Sequence, residues 1–267
     1  VPKSPTHYYR PENLDDALRL LAQPDTLPLG GGTKLLTGDV EGAVVDLQAV
    51  GLNQINWTEG VLYVGATTTL ANLTSALAEK KEGPADLLNQ AVHHAGPNTY
   101  RNAATLGGTI ASRLPDSELL AALLVLDAQL HLAYDETTSL VNYLAAEERP
   151  LRRRTQRPLS VQASTLITAV TIPWTAGQGR SERVARTPAD YPIVSITLWQ
   201  PAQGSARLAA TGLGERPFRL TTAESSLDDI EAAAAAAKAA NQHPGDFRGD
   251  AAYRAEMAAV LTRRVCK

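Results

Sequence analysis

Residues 30–34 of the chain read Gly-Gly-Gly-Thr-Lys, and residues 105–109 read Thr-Leu-Gly-Gly-Thr. Three consecutive glycines permit positive φ and carry no side chains, so successive backbone N–H groups can converge into a nest that a phosphate approaches closely. The second glycine pair stands between Thr105 and Thr109, whose hydroxyls can donate hydrogen bonds. Each segment alone reads as a turn or as a strand-to-helix bend. Together they could cradle a pyrophosphate without magnesium or a lysine clamp, and a dinucleotide is the natural ligand with two phosphates. Neither segment is a P-loop, because no Gly-Lys-Ser/Thr follows, and neither has the G-x-G-x-x-G spacing of a Rossmann site.

Other reactive side chains fit blander roles. His93 and His94 are adjacent on an expected helix and project in different directions; with no third ligand at suitable spacing, no metal site is expected. Arg149, Arg152, Arg153, Arg154 and Arg157 form a basic cluster, read either as a solvated loop or as a docking surface for an acidic partner subunit. No G-x-S-x-G nucleophile elbow occurs. Cys266 is the single cysteine, so an internal disulfide, an iron–sulfur site and a cysteine zinc site are excluded.

The elements that must carry these residues follow from periodicity and caps. Asn13 can cap a helix with Leu14, Ala17, Leu18 and Leu21 on one face. The apolar stretch 27–29 runs into the triple glycine, a helical turn follows at 34–37, and 44–47 reads as a buried strand; this order predicts a small α/β unit. A hairpin is expected about Glu59-Gly60, with helices over 70–80, 85–94 and 119–126 and strands over 130–133 and 166–172. Gly177-Gln178-Gly179 is expected to be a linker. Beyond it, strands are expected at 194–199 and 208–211, then an alanine-rich helix over 232–240 and a final helix over 251–264.

With 267 residues the chain makes one large domain or two ordinary ones, and 44% hydrophobic with 20% charged residues is the mix of a soluble globular protein. The net charge of -3 argues against a nucleic-acid partner. No apolar run approaches the roughly 20 residues of a membrane span, and no secretory signal opens the chain, so a cytoplasmic location is expected. Val1 in place of methionine is consistent with a removed start residue or leader.

The two glycine segments, L-P-L-G-G-G-T-K-L-L (27–36) and R-N-A-A-T-L-G-G-T-I-A (101–111), resemble the two FAD loops of one family. It is the FAD-binding medium subunit of the xanthine dehydrogenase/carbon monoxide dehydrogenase molybdenum hydroxylases. Other pieces agree in order: R-P-E-N-L-D-D-A-L-R-L-L near the start, V-V-D-L at 44–47, V-G-A-T-T-T-L at 64–70, L-I-T-A-V-T-I-P at 166–173, R-T-P-A-D-Y-P at 186–192 and Y-R-A-E-M-A-A-V-L at 253–261. The similarity covers almost the whole chain. Three positions depart from the pattern: Gly30 replaces an alanine, Thr109 an asparagine and Glu118 an aspartate that binds the ribityl chain, with Asp116 a nearby substitute.

The resemblance implies an α+β fold, a two-lobed para-cresol methylhydroxylase-like FAD-binding domain over 1–176 (lobes about 1–52 and 53–176). A small α+β C-terminal domain, antiparallel sheet plus helices, follows over 177–267. It implies that Leu29, Gly30, Gly31, Gly32, Thr33 and Lys34, with Thr105, Leu106, Gly107, Gly108 and Thr109, bind the FAD pyrophosphate, mainly through backbone N–H groups and threonine hydroxyls. Leu166 and Ile167 would border the flavin, Arg186 would stabilise negative charge on it or bind a phosphate, and Tyr191 would lie near the ring. Without the family, Tyr191 reads as a half-buried packing residue and Arg186 as a surface ion-pair partner. The implied function is electron transfer in a heteromer, from the iron–sulfur clusters of a [2Fe-2S] small subunit, fed by a molybdenum-cofactor large subunit, to an external acceptor. A free-standing FAD oxidoreductase and a structural subunit that has lost FAD remain open alternatives.

Overall fold

Local chemistry sets the first elements. A computed structural model describes residues 4–80, 82–146 and 165–267, so the arginine cluster at 149–157 lies outside the described residues. Asn13 caps helix Leu14–Leu21, its side-chain oxygen accepting from the N–H of Asp16 at 2.9 Å, and Ala17, Leu18 and Leu21 are buried. The expected α/β unit is a three-stranded parallel sheet with Ala43–Asp46 between His7–Tyr9 and Thr26–Leu29. Pro28, which has no N–H to give a ladder, sits on the edge strand.

The described residues divide into two compact units that do not follow chain order: 4–76, 98–112 and 129–171 form one, and 77–97, 113–128 and 172–267 the other. The first holds the parallel sheet and most of a five-stranded sheet, ordered Ile55–Thr58, Val61–Gly65, Ile167–Pro173, Gln129–Leu132, Thr137–Ser139. Gly60, at φ 73°, turns the expected hairpin. Ala17, Leu18 and Leu21 meet Val45, Leu47, Ala133 and Leu166 in one apolar cluster of this unit.

The second unit is built on a four-stranded antiparallel sheet, ordered Phe218–Arg219, Arg207–Thr211, Val194–Pro201, Gly177–Val184. Helices Ile230–Ala239 and Ala251–Val265 cover it, the first capped by Asp229 and the second by Asp250. Helix Glu118–Val125 is buried along its whole length, packed on strands Val194–Pro201 and Arg207–Thr211 and on helix Ala85–His94. No helix among the described residues is long and apolar enough to cross a membrane.

One expectation fails outright. Gly177-Gln178-Gly179 is the start of an eight-residue strand paired with Val194–Pro201, not a linker. Its glycines serve close packing: a Cβ on Gly177 would lie 2.6 Å from both the Gln200 carbonyl oxygen and the Trp199 ring, and one on Gly179 2.7 Å from Leu87.

Candidate functional site

In the first unit the chain brings the two glycine segments into direct contact, and glycine is what lets them touch. A Cβ on Gly31 would stand 1.6 Å from the carbonyl oxygen of Ala103, and one on Gly30 2.7 Å from the Thr105 hydroxyl. The same hydroxyl accepts the N–H of Gly108 at 3.1 Å, and a Cβ on Gly108 would come within 2.8 Å of it. Thr105 Oγ1 is thus wedged between the two segments. Positive φ is confined to Gly32, at 72°, so two of the three consecutive glycines are there for proximity and not for a left-handed backbone.

The two segments carry different donors. Among the described residues, the N–H groups of Gly30, Gly31, Gly32 and Thr33 donate to no protein acceptor. Residues 106–109 differ from expectation, because they form the first turn of helix Leu106–Ser112 and every N–H there is engaged. Leu106 donates to the Thr68 carbonyl and Gly107 to the Ala66 carbonyl, both at 2.9 Å, while Thr109 donates to the Thr105 carbonyl at 2.9 Å. The Thr109 hydroxyl also donates to that carbonyl, at 2.9 Å. Thr105 alone keeps a hydroxyl proton to give, since its oxygen is the acceptor in its bond with Gly108. The first segment therefore presents the open donors and the second braces it.

The surroundings suit an anion. Lys34 Nζ lies 5.6 Å from the centre of the Tyr100 ring, a cation–π distance. Thr67 and Thr68, in the segment that braces the second loop, bury hydroxyls with no partner among the described residues. The V-G-A-T-T-T-L run carried them in the sequence without a role. Leu29 is buried with Val40 and Val44, and Leu166 and Ile167 are buried in the apolar interior. A run of four unpartnered N–H groups without Cβ cover over Gly30–Gly32 fits the pyrophosphate of FAD.

The remaining predicted residues belong to the second unit. Glu118 is the first residue of helix Glu118–Val125, with 4% of its side chain exposed, and both its carboxylate oxygens are engaged. His94 Nδ1 stands 3.1 Å from Oε1, and Arg183 Nη1 donates to Oε2 at 3.1 Å. Asp116, the alternative acceptor, is paired with Arg248 at 3.1 Å. Arg183 also donates to the carbonyl of Asp190, and the hydroxyl of the half-exposed Tyr191 donates to the carbonyl of Ala95 at 3.3 Å. Arg186 is exposed in the same loop. No three His, Cys, Asp or Glu side chains among the described residues cluster as a metal site.

One residue that the sequence reading left without a role dominates this unit. Arg254 is fully buried, donating to the carbonyls of Ile193 (2.6 Å), Gly212 (2.8 Å) and Gly249 (3.2 Å) and to Asp246 (2.7 Å). Burial pushes the Asp246 carboxyl up, but Arg254 and the N–H and guanidinium of Arg248 outweigh it and hold the group well below the usual carboxylate range.

Comparison with known proteins gives a consistent picture. Residues 4–175 match the family described as the FAD binding domain in molybdopterin dehydrogenase. The glyceraldehyde dehydrogenase medium chain of Sulfolobus acidocaldarius is 29% identical over 284 residues, covering 97% of this chain and 96% of its own. The carbon monoxide dehydrogenase medium chain of Afipia carboxidovorans is 27% identical over 283 residues, 96% and 94% of the two chains. Among solved structures, a chain of carbon monoxide dehydrogenase from Hydrogenophaga pseudoflava superposes with a TM-score of 0.85 at 22% identity, over 99% of this chain and 97% of that one.

Proposed function

Because the chain belongs to the FAD-binding domain family of molybdopterin dehydrogenases, a family of FAD-dependent oxidoreductases, we propose that it is the electron-transfer subunit of a molybdenum hydroxylase assembly. In this reading it takes electrons from a [2Fe-2S] small subunit, fed by a molybdenum large subunit, and passes them to an external acceptor in the cytoplasm. The medium-chain designation of its relatives supports the assembly. We assign residues 1–176 to FAD binding and 177–267 to the C-terminal domain.

FAD, when bound, accepts electrons singly and releases them in pairs. The N–H groups of Gly30, Gly31, Gly32 and Thr33 would hold its pyrophosphate, with Lys34 adding charge and Thr105 a hydroxyl proton. Helix Leu106–Ser112 would keep that loop in shape without giving backbone donors of its own. Tyr191 would border the ring and limit access to it, and Arg186 would face negative charge there. The four open N–H groups of the first loop, braced by the second, are the observation that carries this reading. The test is to purify the chain, release its cofactor and identify it by chromatography, then ask what co-purifies. FAD together with partners bearing iron–sulfur absorbance is the expected result. Recovery of FMN alone, or a lone chain that turns over a substrate, would overturn it.

A further inference from the structure

Glu118 has two carboxylate oxygens, and each reaches one support of Tyr191. Oε2 accepts from Arg183, whose other nitrogen donates to the carbonyl of Asp190, the residue before the tyrosine. Oε1 meets His94, the residue before Ala95, whose carbonyl accepts the tyrosine hydroxyl. Backbone and ring of Tyr191 are therefore both tied, the one through Arg183 and the other through the His94–Ala95 pair, to a single buried carboxylate on the first turn of a buried helix. That turn suits the role: Ser117 caps it, the helix N-terminus favours the negative charge, and the packed helix cannot drift.

We propose that Glu118 is a positioning residue for Tyr191, setting the angle and mobility of its ring, and not itself a ribityl contact. This rests on the reading of Tyr191 as the residue beside the flavin. The sequence alone could not reveal it, because the partners lie 24 and 65 residues from Glu118. Arginine suits the link because its fork can hold a carboxylate and a carbonyl at once, which a lysine point charge does poorly.

The test uses the full chain labelled with 3-fluorotyrosine, with and without FAD, and follows fluorine NMR together with FAD affinity and flavin reoxidation rate. The chain has eight tyrosines, and Tyr191→Phe identifies the resonance of interest. Glu118→Gln and Arg183→Lys are expected to shift and broaden that resonance while leaving the others in place. They should alter reoxidation in the direction Tyr191→Phe does, and add nothing further when combined with it. An unmoved Tyr191 resonance in both variants would overturn the proposal. So would a loss of FAD affinity in Glu118→Gln with reoxidation unchanged, which is the signature of a ribityl contact. Arg183→Lys carries the test alone if Glu118→Gln does not fold. If Tyr191→Ala leaves flavin potential and reoxidation untouched, the placement of Tyr191 beside the ring fails instead, whatever the resonance does.

Discussion

Replacing Gly31 by alanine adds one methyl carbon where no methyl carbon fits. Its Cβ would stand 1.6 Å from the Ala103 carbonyl oxygen, whereas real Cβ atoms essentially never come within 3.0 Å of such an atom, so the two loops must part by at least about 1.4 Å. The obstacle is backbone and cannot rotate away. If the second loop gives, the N–H bonds of Leu106 and Gly107 to Thr68 and Ala66 are stretched; if the first gives, the open donors of Gly30–Thr33 are displaced from the place where the proposed function puts the phosphate. Overpacking of this kind costs about 1–3 kcal/mol, a fall of about 2–12 °C in Tm for a chain of this size. Loss of one charge-assisted hydrogen bond, about 1.5–3 kcal/mol, weakens FAD binding by about 10- to 150-fold. Gly38→Ala is the control, since its φ is −119° and a Cβ there meets nothing within 4 Å. Titration of apoprotein with FAD, followed by flavin fluorescence, and thermal unfolding of the apoprotein measure the two effects separately. If Gly31→Ala binds FAD and melts like Gly38→Ala, the loops do not depend on this contact and the reasoning is refuted.

Arg254→Met should destabilise by about 3–5 kcal/mol, because it strands the carbonyls of Ile193, Gly212 and Gly249 and takes from Asp246 one of its two arginine partners; Arg254→Lys should recover only part, and urea denaturation of the two variants measures it. Acid should weaken the fold in two steps. Burial first, then the charges of Arg254 and Arg248, outweigh Asp246 and keep His243 below its ordinary pKa of 6.5. The unfolded chain then binds the extra proton, so this contribution is complete above pH 6.5 and declines below it, and the fall should flatten in His243→Asn. Asp246, held low, contributes fully above its ordinary value of 3.8 and loses its share below that, which denaturation midpoints taken down to pH 3 would show as a second decline. Burial against the apolar core of the second unit also pushes the Cys266 thiol up, so iodoacetamide at neutral pH should label it more slowly in the folded protein than in urea, and equal rates would contradict that packing.

What could be read in advance was what depends on neighbours in the chain. Asn13 and the spacing of Ala17, Leu18 and Leu21 define a helix without outside help, and Glu59-Gly60 defines its hairpin in the same way. That the glycine segments act together was legible in their residue types and in the resemblance, but which loop keeps its donors was not, because that depends on Ala66 and Thr68, some 40 residues away from the second loop. Gly177 and Gly179 misled for a related reason. Glycine in a polar run looks like a flexible joint until Trp199 and Leu87 are seen to need the empty space. Arg254 was invisible because a buried arginine looks the same in sequence as an exposed one.

The interleaving of the two units has a consequence for how the protein is made. The chain passes from one unit to the other five times, so neither is complete when any single stretch leaves the ribosome. Helix Glu118–Val125, apolar apart from its first residue, is synthesised well before strands Val194–Pro201 and Arg207–Thr211 that cover it. The delay is about 85 residues, or about 4–17 s at ~5–20 residues per second. For that interval a run of leucines lacks the sheet face it packs against in the finished fold. Helix Ala85–His94, on which it also packs, is already made, and early pairing of these two helices would shield the run from aggregation.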